Sequence, residues 1–394
     1  MLTEQRHQQV IEYCQSLVRQ KSYSGHEAGV VDEIRRIMEH FQFDDIHVDD
    51  FGNIIGGIVG NQPGEVLLLD GHIDTVPVDE SQWSQAPWGA EIRDGKIYGR
   101  GTSDMKGAVA AMIAAVGFFA QDCQRNFRGA IYVACVVHEE CFEGVAARAI
   151  SARYHPDSVI IGEASELNIN VGQRGRAEIV FETFGKPAHS ANPHKGINAV
   201  YHMSKLINRL SALAAPEHAR LGPGILEITD IKSSPYPGAS VVPDYCRATA
   251  DRRLLVGETE ESVLAPLREL IDTLSAEDPQ FRAQVSYAQG QETCYTGNTI
   301  DGKRFFPGWI TDTRHPLVEA ALTALTHNGR QPKVATYSFC TNGSHYAGEA
   351  GIATIGFGPS RENLAHVIDE YIEIEQLTRA ADGYYAIIRQ LHAN

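Results

Sequence analysis

Residues 65–77 read EVLLLDGHIDTVP, an apolar run that ends at a glycine and is followed by two potential ligands, His72 and Asp74. Near-continuous apolar character over so short a stretch predicts a strand covered on both faces, as in a parallel sheet between helices. Functional groups in such sheets collect outside the carboxyl ends of the strands, which is where this histidine and aspartate fall. Residues two apart on extended chain project to the same side. A metal-binding imidazole needs its second nitrogen held by an acceptor, and Asp74 is the acidic neighbour expected to do this.

Working outward, helical periodicity covers the chain to about residue 41, with Val10, Ile11, Cys14, Leu17 and Val18 forming an apolar stripe. Downstream come a helix at 105–121, the run AIYVACVVHEE at 130–140, a helix near 143–153 and SVIIGE at 158–163. Strands alternating with helices predict an α/β domain with a mainly parallel sheet flanked by helices. From 176 to 286 the pattern changes. RAEIVFETFG alternates, a helix spans Gly196 to Leu213, and two β-rich pieces follow, GILEITDIKS and SVVPDYCRATADRRLL. A helix from Glu258 to Leu274 then leads to RAQVSYA. This β-α-β-β-α-β order is that of a ferredoxin-like α+β domain, here inserted into the first. Patterning of the α/β kind resumes at 316–328, 351–357 and Ile374–His392. The predicted division is 1–175 with 287–394 as one discontinuous domain and 176–286 as the insert, in a 394-residue chain too long for one core.

Fifty acidic against 34 basic side chains leave a formal net charge of −16. Such a surface repels phosphate backbones and anionic lipid, so neither nucleic acid nor membrane is expected as a partner. The most apolar stretch, Ala108 to Ala120, is short of the ~20 residues a bilayer-spanning helix needs. The N-terminus reads as an amphipathic helix rather than a signal peptide. Seven scattered cysteines without a CxxC pair predict reduced thiols in a cytoplasmic protein.

Potential ligands recur at the ends of other elements. In YGRGTSDMKG (98–107), Asp104 follows a glycine-rich turn at the start of the Met105 helix, where it could equally serve as a cap. Glu139 and Glu140 stand side by side after IYVACVVH, and adjacent carboxylates at the end of an apolar strand are costly unless paired or metal-bound. His138, beside them, is expected to point away as a packed or solvent-facing side chain. Glu163 closes SVIIGE, and His366 sits in ENLAHVIDE with Glu370 four residues on. Each signal alone has an ordinary structural explanation. Together they supply two histidines and three carboxylates as ligands for two divalent ions sharing a bridge, with a spare carboxylate as general base.

These residues, in this order and spacing, resemble the co-catalytic zinc aminoacylase/carboxypeptidase family. That family includes acetylornithine deacetylase (ArgE), succinyl-diaminopimelate desuccinylase (DapE), aminoacylase and glutamate carboxypeptidase, and the resemblance covers essentially the whole chain. GQRGR at 172–176, DRRLLVGET and GFGPSRENLAH look closest to its YgeY-type branch. The resemblance implies a zinc-exopeptidase-like catalytic domain with a lid insert and two divalent ions per chain, zinc first, with cobalt or manganese as alternates. It implies that His72 and Glu163 hold one ion, that Glu140 and His366 hold the other, and that Asp104 bridges them. Asp74 would orient His72, and Glu139 would be the general base. Glutamate at position 163 resembles the deacylase and desuccinylase branches.

GKPAHSANPHKGINA resembles the family's lid motif, which implies that His189 hydrogen-bonds the developing oxyanion, usually from a partner subunit, and hence a homodimer through the insert. Arg253 of TADRRLL matches the substrate-carboxylate arginine, a role that suits a guanidinium fork. Two departures bear on substrate binding. Ser240 in ASVVPDYC stands where the family often has asparagine, and CTNGSHY (340–346), with Asn342, replaces a Gly-Gly-Thr loop. The implied reaction is amide hydrolysis in an N-acylated amino acid or related small compound bearing a carboxylate. A dipeptidase or carboxypeptidase is the alternative, and a silent metal-binding regulatory homologue the remote one.

Overall fold

His72 ends the strand Gln62–His72 in the computed structural model, which describes residues 1–393. Leu67, Leu68 and Leu69 are almost wholly buried because parallel strands flank them, Arg128–Val136 on one side and Ser158–Ile161 on the other. Across the sheet the order is Asp45–Val48, Ile54–Val59, Arg128–Val136, Gln62–His72, Ser158–Ile161, Ala353–Gly356 and Ile169–Gln173. Val334–Tyr337 pairs in parallel with the last of these. The centre is parallel as expected, and the first two strands add an antiparallel edge.

Helices Glu4–Val18, Ala28–His40, Gly107–Asp122, Pro316–His327 and Ile374–His392 contribute their apolar residues to one core. The first two interrupt what reads in the sequence as unbroken helical periodicity. Between them lies a loop that includes Gly25 at φ +81°, a conformation glycine adopts without strain. The Gly107–Asp122 helix is buried from Gly107 to Ala120, as an all-round apolar helix must be. With its preceding turn it makes a segment, Thr102–Asp122, that is longer than the sequence suggests and apolar enough to cross a bilayer. It is packed almost wholly inside the protein instead.

The chain divides into two units. The larger comprises Met1–Gln173, Gln291–Gly302 and the chain from Ile310 onward; the smaller comprises Arg174–Gly290 and Lys303–Trp309. In the smaller unit Ile225–Ser234, Tyr245–Leu254, Gly175–Phe184 and Arg282–Tyr287 form an antiparallel sheet in that spatial order. Helices Ala199–Leu210 and Glu260–Glu277 share a separate core with it. The segment 303–309, which the sequence places in the larger domain, goes with the smaller unit because Phe305–Phe306 pairs with Gly175–Phe184.

Candidate metal centre

His72 leaves the sheet at the end of its strand, and Glu163 lies just past the end of the neighbouring strand Ser158–Ile161. His72 Nε2 lies 2.8 Å from Asp104 Oδ1 and 3.4 Å from Glu163 Oε1. His366 Nε2 lies 3.1 Å from Asp104 Oδ2 and 3.0 Å from Glu140 Oε2. Two groups result, His72/Asp104/Glu163 and Asp104/Glu140/His366, the ligand atoms of each within 4.8 Å of one another. Asp104 belongs to both.

Local sequence explains how Asp104 arrives there. Gly71 carries no side chain, and a Cβ at that position would stand 2.7 Å from Met105 and 2.8 Å from Met112. The Asp104 segment and its helix therefore lie against the strand end, with the tips of the two methionines over Gly71. The regular helix begins at Gly107, not at Met105, and Asp104 has φ −130° and ψ 91°. It caps nothing; its carboxylate turns toward His72 and His366 instead. Glu370 fixes this turn from behind, accepting the N–H groups of Ser103 and Asp104 at 2.8 and 3.1 Å on one oxygen. Its other oxygen pairs with Arg100 at 2.5 Å. Sequence reasoning noted Glu370 only by its spacing from His366; the signal that could have found it is an acidic residue destined for burial with Arg100.

After Arg128–Val136 the backbone reverses at His138, which adopts φ +55° and packs its ring inside the protein. The reversal points the N–H groups of Glu139 and Glu140 at Asp74, whose two carboxylate oxygens accept them at 3.1 and 3.2 Å. Ser24 Oγ donates to the second of these oxygens at 2.7 Å. His72 Nδ1 sits 2.9 Å from the backbone carbonyl of Asp74 and 3.6 Å from its carboxylate. Asp74 thus faces His72 Nδ1 with its carbonyl at hydrogen-bond distance and its carboxylate just beyond, and the same carboxylate also holds the Glu139–Glu140 turn.

The electrostatics fit cations. Burial, then Asp104, pushes the Glu163 carboxyl up to about 8. Burial also drives Glu139 well above the usual carboxylate range; His72 opposes this, and Glu163, Glu143 and Glu140 add to it. Asp104 and Glu140 raise His366 to about 10. Burial would raise Asp104 too, yet His366 and His72 outweigh it and hold that carboxyl low. Four carboxylates (Asp104, Glu139, Glu140, Glu163) thus share a largely buried space with two imidazoles. Such an excess is costly without added positive charge. Glu139 Oε1 is buried with no protein partner. Oxygen and imidazole donors of this kind suit zinc, cobalt or manganese.

Asn342 lies elsewhere than expected of a substrate contact. It is buried, its Nδ2 donates to Asp70 at 2.9 Å, and its Oδ1 accepts the Gly144 N–H at 2.8 Å. Tyr346 completes the Asp70 shell at 2.8 Å. The loop that replaces Gly-Gly-Thr therefore ties the His72 strand to the segment after Glu140. Asn342→Ala leaves a buried carboxylate oxygen and a buried N–H short of partners, at a cost of about 2–3 kcal/mol. Chemical denaturation should register that loss, and an unchanged midpoint would exclude the role.

The remaining candidates occupy the smaller unit. His189 is exposed on the short strand Ala188–His189, paired with Val241–Val242, and its Nδ1 accepts the Ala191 N–H. Ser240 is exposed, its carbonyl accepting the Ser190 N–H at 2.8 Å. Arg253 pairs with Asp251 at 2.7 Å, opposite Arg176 on the adjoining strand.

Two acidic, histidine-containing groups around a shared aspartate, gathered beside the strand ends that carry His72 and Glu163, are the donor set of a metal-dependent hydrolase. The chain belongs to peptidase family M20/M25/M40, whose pattern matches residues 68–390, and is a metallohydrolase acting on amide bonds. Among its relatives, the protein YgeY of Escherichia coli strain K12 is 32% identical over 381 residues, covering 95% of this chain and 92% of that protein. Succinyl-diaminopimelate desuccinylase of Cereibacter sphaeroides is 30% identical over 396 residues, covering 96% and 97%. Aminopeptidase PepT of Bacillus cereus has the same fold, with a TM-score of 0.76 at 22% identity and 98% coverage of each chain.

Proposed function

We propose that this protein is a dinuclear metal-dependent deacylase that removes the acyl group from an N-acylated amino acid or a related small carboxylate-bearing amide. The observation that carries the reading is the sharing of Asp104 by two ligand groups beside the buried, unpartnered oxygen of Glu139. His72 and Glu163 would hold one cation, Glu140 and His366 the second, and Asp104 both. Bound there, divalent cations supply Lewis acidity, which acidifies water and polarises an amide carbonyl. Glu139 takes the proton of the attacking water and returns it to the leaving amine.

His189 as oxyanion donor, Arg253 as carboxylate clamp, Ser240 as a substrate contact and a homodimer through the smaller unit rest on the family resemblance alone. A cytoplasmic location belongs to the same proposal, supported by seven cysteines that are all free thiols. The 30%-identical desuccinylase favours an acyl amino acid over a peptide as substrate.

The deciding experiment is a panel of N-acetyl, N-succinyl and N-carbamoyl amino acids beside dipeptides, assayed with zinc, manganese and cobalt. Turnover should fall on the acyl amino acids, vanish on chelation and return with added cation. Turnover confined to dipeptides would replace the deacylase reading by a peptidase one.

A further inference from the structure

The loop between the first two helices, residues 19–27, reaches several of the segments that build the site. Ser22 Oγ donates to the Ile73 carbonyl at 2.7 Å, and the Ser22 carbonyl accepts the Thr75 N–H at 2.8 Å, so this residue grips both sides of Asp74. Lys106 Nζ, two residues beyond Asp104, is buried and donates to the Gln20 carbonyl at 2.9 Å and to Ser22 Oγ at 3.2 Å. Ser24 Oγ donates to Asp74 Oδ2. Glu27 is buried, accepts the Gly25 N–H at 2.9 Å and also faces the N–H of His138. The far side of the loop is confined as well, since a Cβ on Gly25 would come within 2.8 Å of the Thr293 carbonyl.

We propose that residues 19–27 form a positioning brace for the reaction, and that Ser24, bonded to the Asp74 oxygen that also takes the Glu140 N–H, fixes the carboxylate so that its other oxygen places Glu139. The inference rests on Glu139 being the general base. Asp74 is a fully buried carboxylate fed by three donors, of which the Ser24 hydroxyl is the shortest. Charge-assisted bonds of this kind are strong and directional. Without the hydroxyl, the carboxylate is free to swing toward other donors. The two N–H bonds it keeps, at 3.1 and 3.2 Å, are already long. Glu139 and Glu140 hang directly on those N–H groups. Sub-ångström displacement of a base is enough to slow proton transfer, and loss of an outer partner typically lowers activity 10–100-fold.

The test is a cycle of Ser24→Ala, Glu139→Gln and the double variant, using zinc-loaded full-length enzyme and the acyl amino acid turned over fastest in the panel above. Metal content, thermal midpoint, kcat and KM are measured for each, with single-turnover assays for the slow variants. Ser24→Ala should lower kcat by ~10-fold with KM, metal content and midpoint unchanged. In the Glu139→Gln background it should lower kcat no further, because the group being placed has lost its function. Normal kcat in Ser24→Ala would overturn the brace, as would an equal drop in both backgrounds or a drop that tracks lost metal. A fully active Glu139→Gln would instead remove the base assignment, and the brace with it.

Discussion

Glu139→Gln should lower kcat by ~10² or more while metal content and KM stay at their wild-type values. The substitution keeps the shape of the side chain and removes only its ability to accept and release a proton. Glu139 touches no other ligand group by hydrogen bond through Oε1, so a glutamine there breaks no existing contact of that atom. A hundredfold loss corresponds to about 2.7 kcal/mol of barrier. The change also removes one member of a crowded group of carboxylates, so the folded state should lose no stability. Elemental analysis beside steady-state kinetics separates the outcomes. Near-normal turnover would show that the proton goes elsewhere, and loss of cations would move Glu139 from base to ligand.

Asp104→Ala should abolish binding at both cation positions, and activity with it. Its Oδ1 faces His72 and its Oδ2 faces His366, so truncation takes a ligand from each group at once. The contrast is His366→Ala, which removes a ligand from one group only and should leave one ion per chain. Retention of two ions by the Asp104 variant would end the bridging assignment. Loss of both ions in the His366 variant would show that the two positions fill only together.

Much of this arrangement is legible in the sequence because the sheet is buried on both faces. Strands such as LLLDGH and SVIIGE read as apolar runs ending in ligand-type residues, and the point where the apolar run stops is itself the location of the site. What stays hidden depends on contacts between distant residues. Local preference favours Asp104 as a helix cap, and His72 and His366, which overrule that preference, lie 32 positions before it and far beyond it. The break at residues 19–27, RQKSYSGHE, is polar and carries a Ser-Gly turn signal, but helical spacing on either side of it draws the reading past it, and Ser22, Ser24 and Glu27 follow no period. Asn342 bonds Asp70, 272 positions away, so its loop reads as a substrate contact until that partner is known. Phe305–Phe306 is too short for alternation to declare it a strand.

The way the larger unit is stitched from separate stretches bears on how a cell makes this protein. Its inner strand Ala353–Gly356 fits between Ser158–Ile161 and Ile169–Gln173, and His366 follows it. A ribosome working from the first residue releases every strand of the smaller unit before either appears. Domains form as units while synthesis proceeds, so the smaller unit can mature on the nascent chain while the larger still waits for its missing strand. With His366 as the proposed ligand, cation capture is among the last events of biogenesis, and a message truncated before the His366 codon yields a polypeptide that cannot complete it.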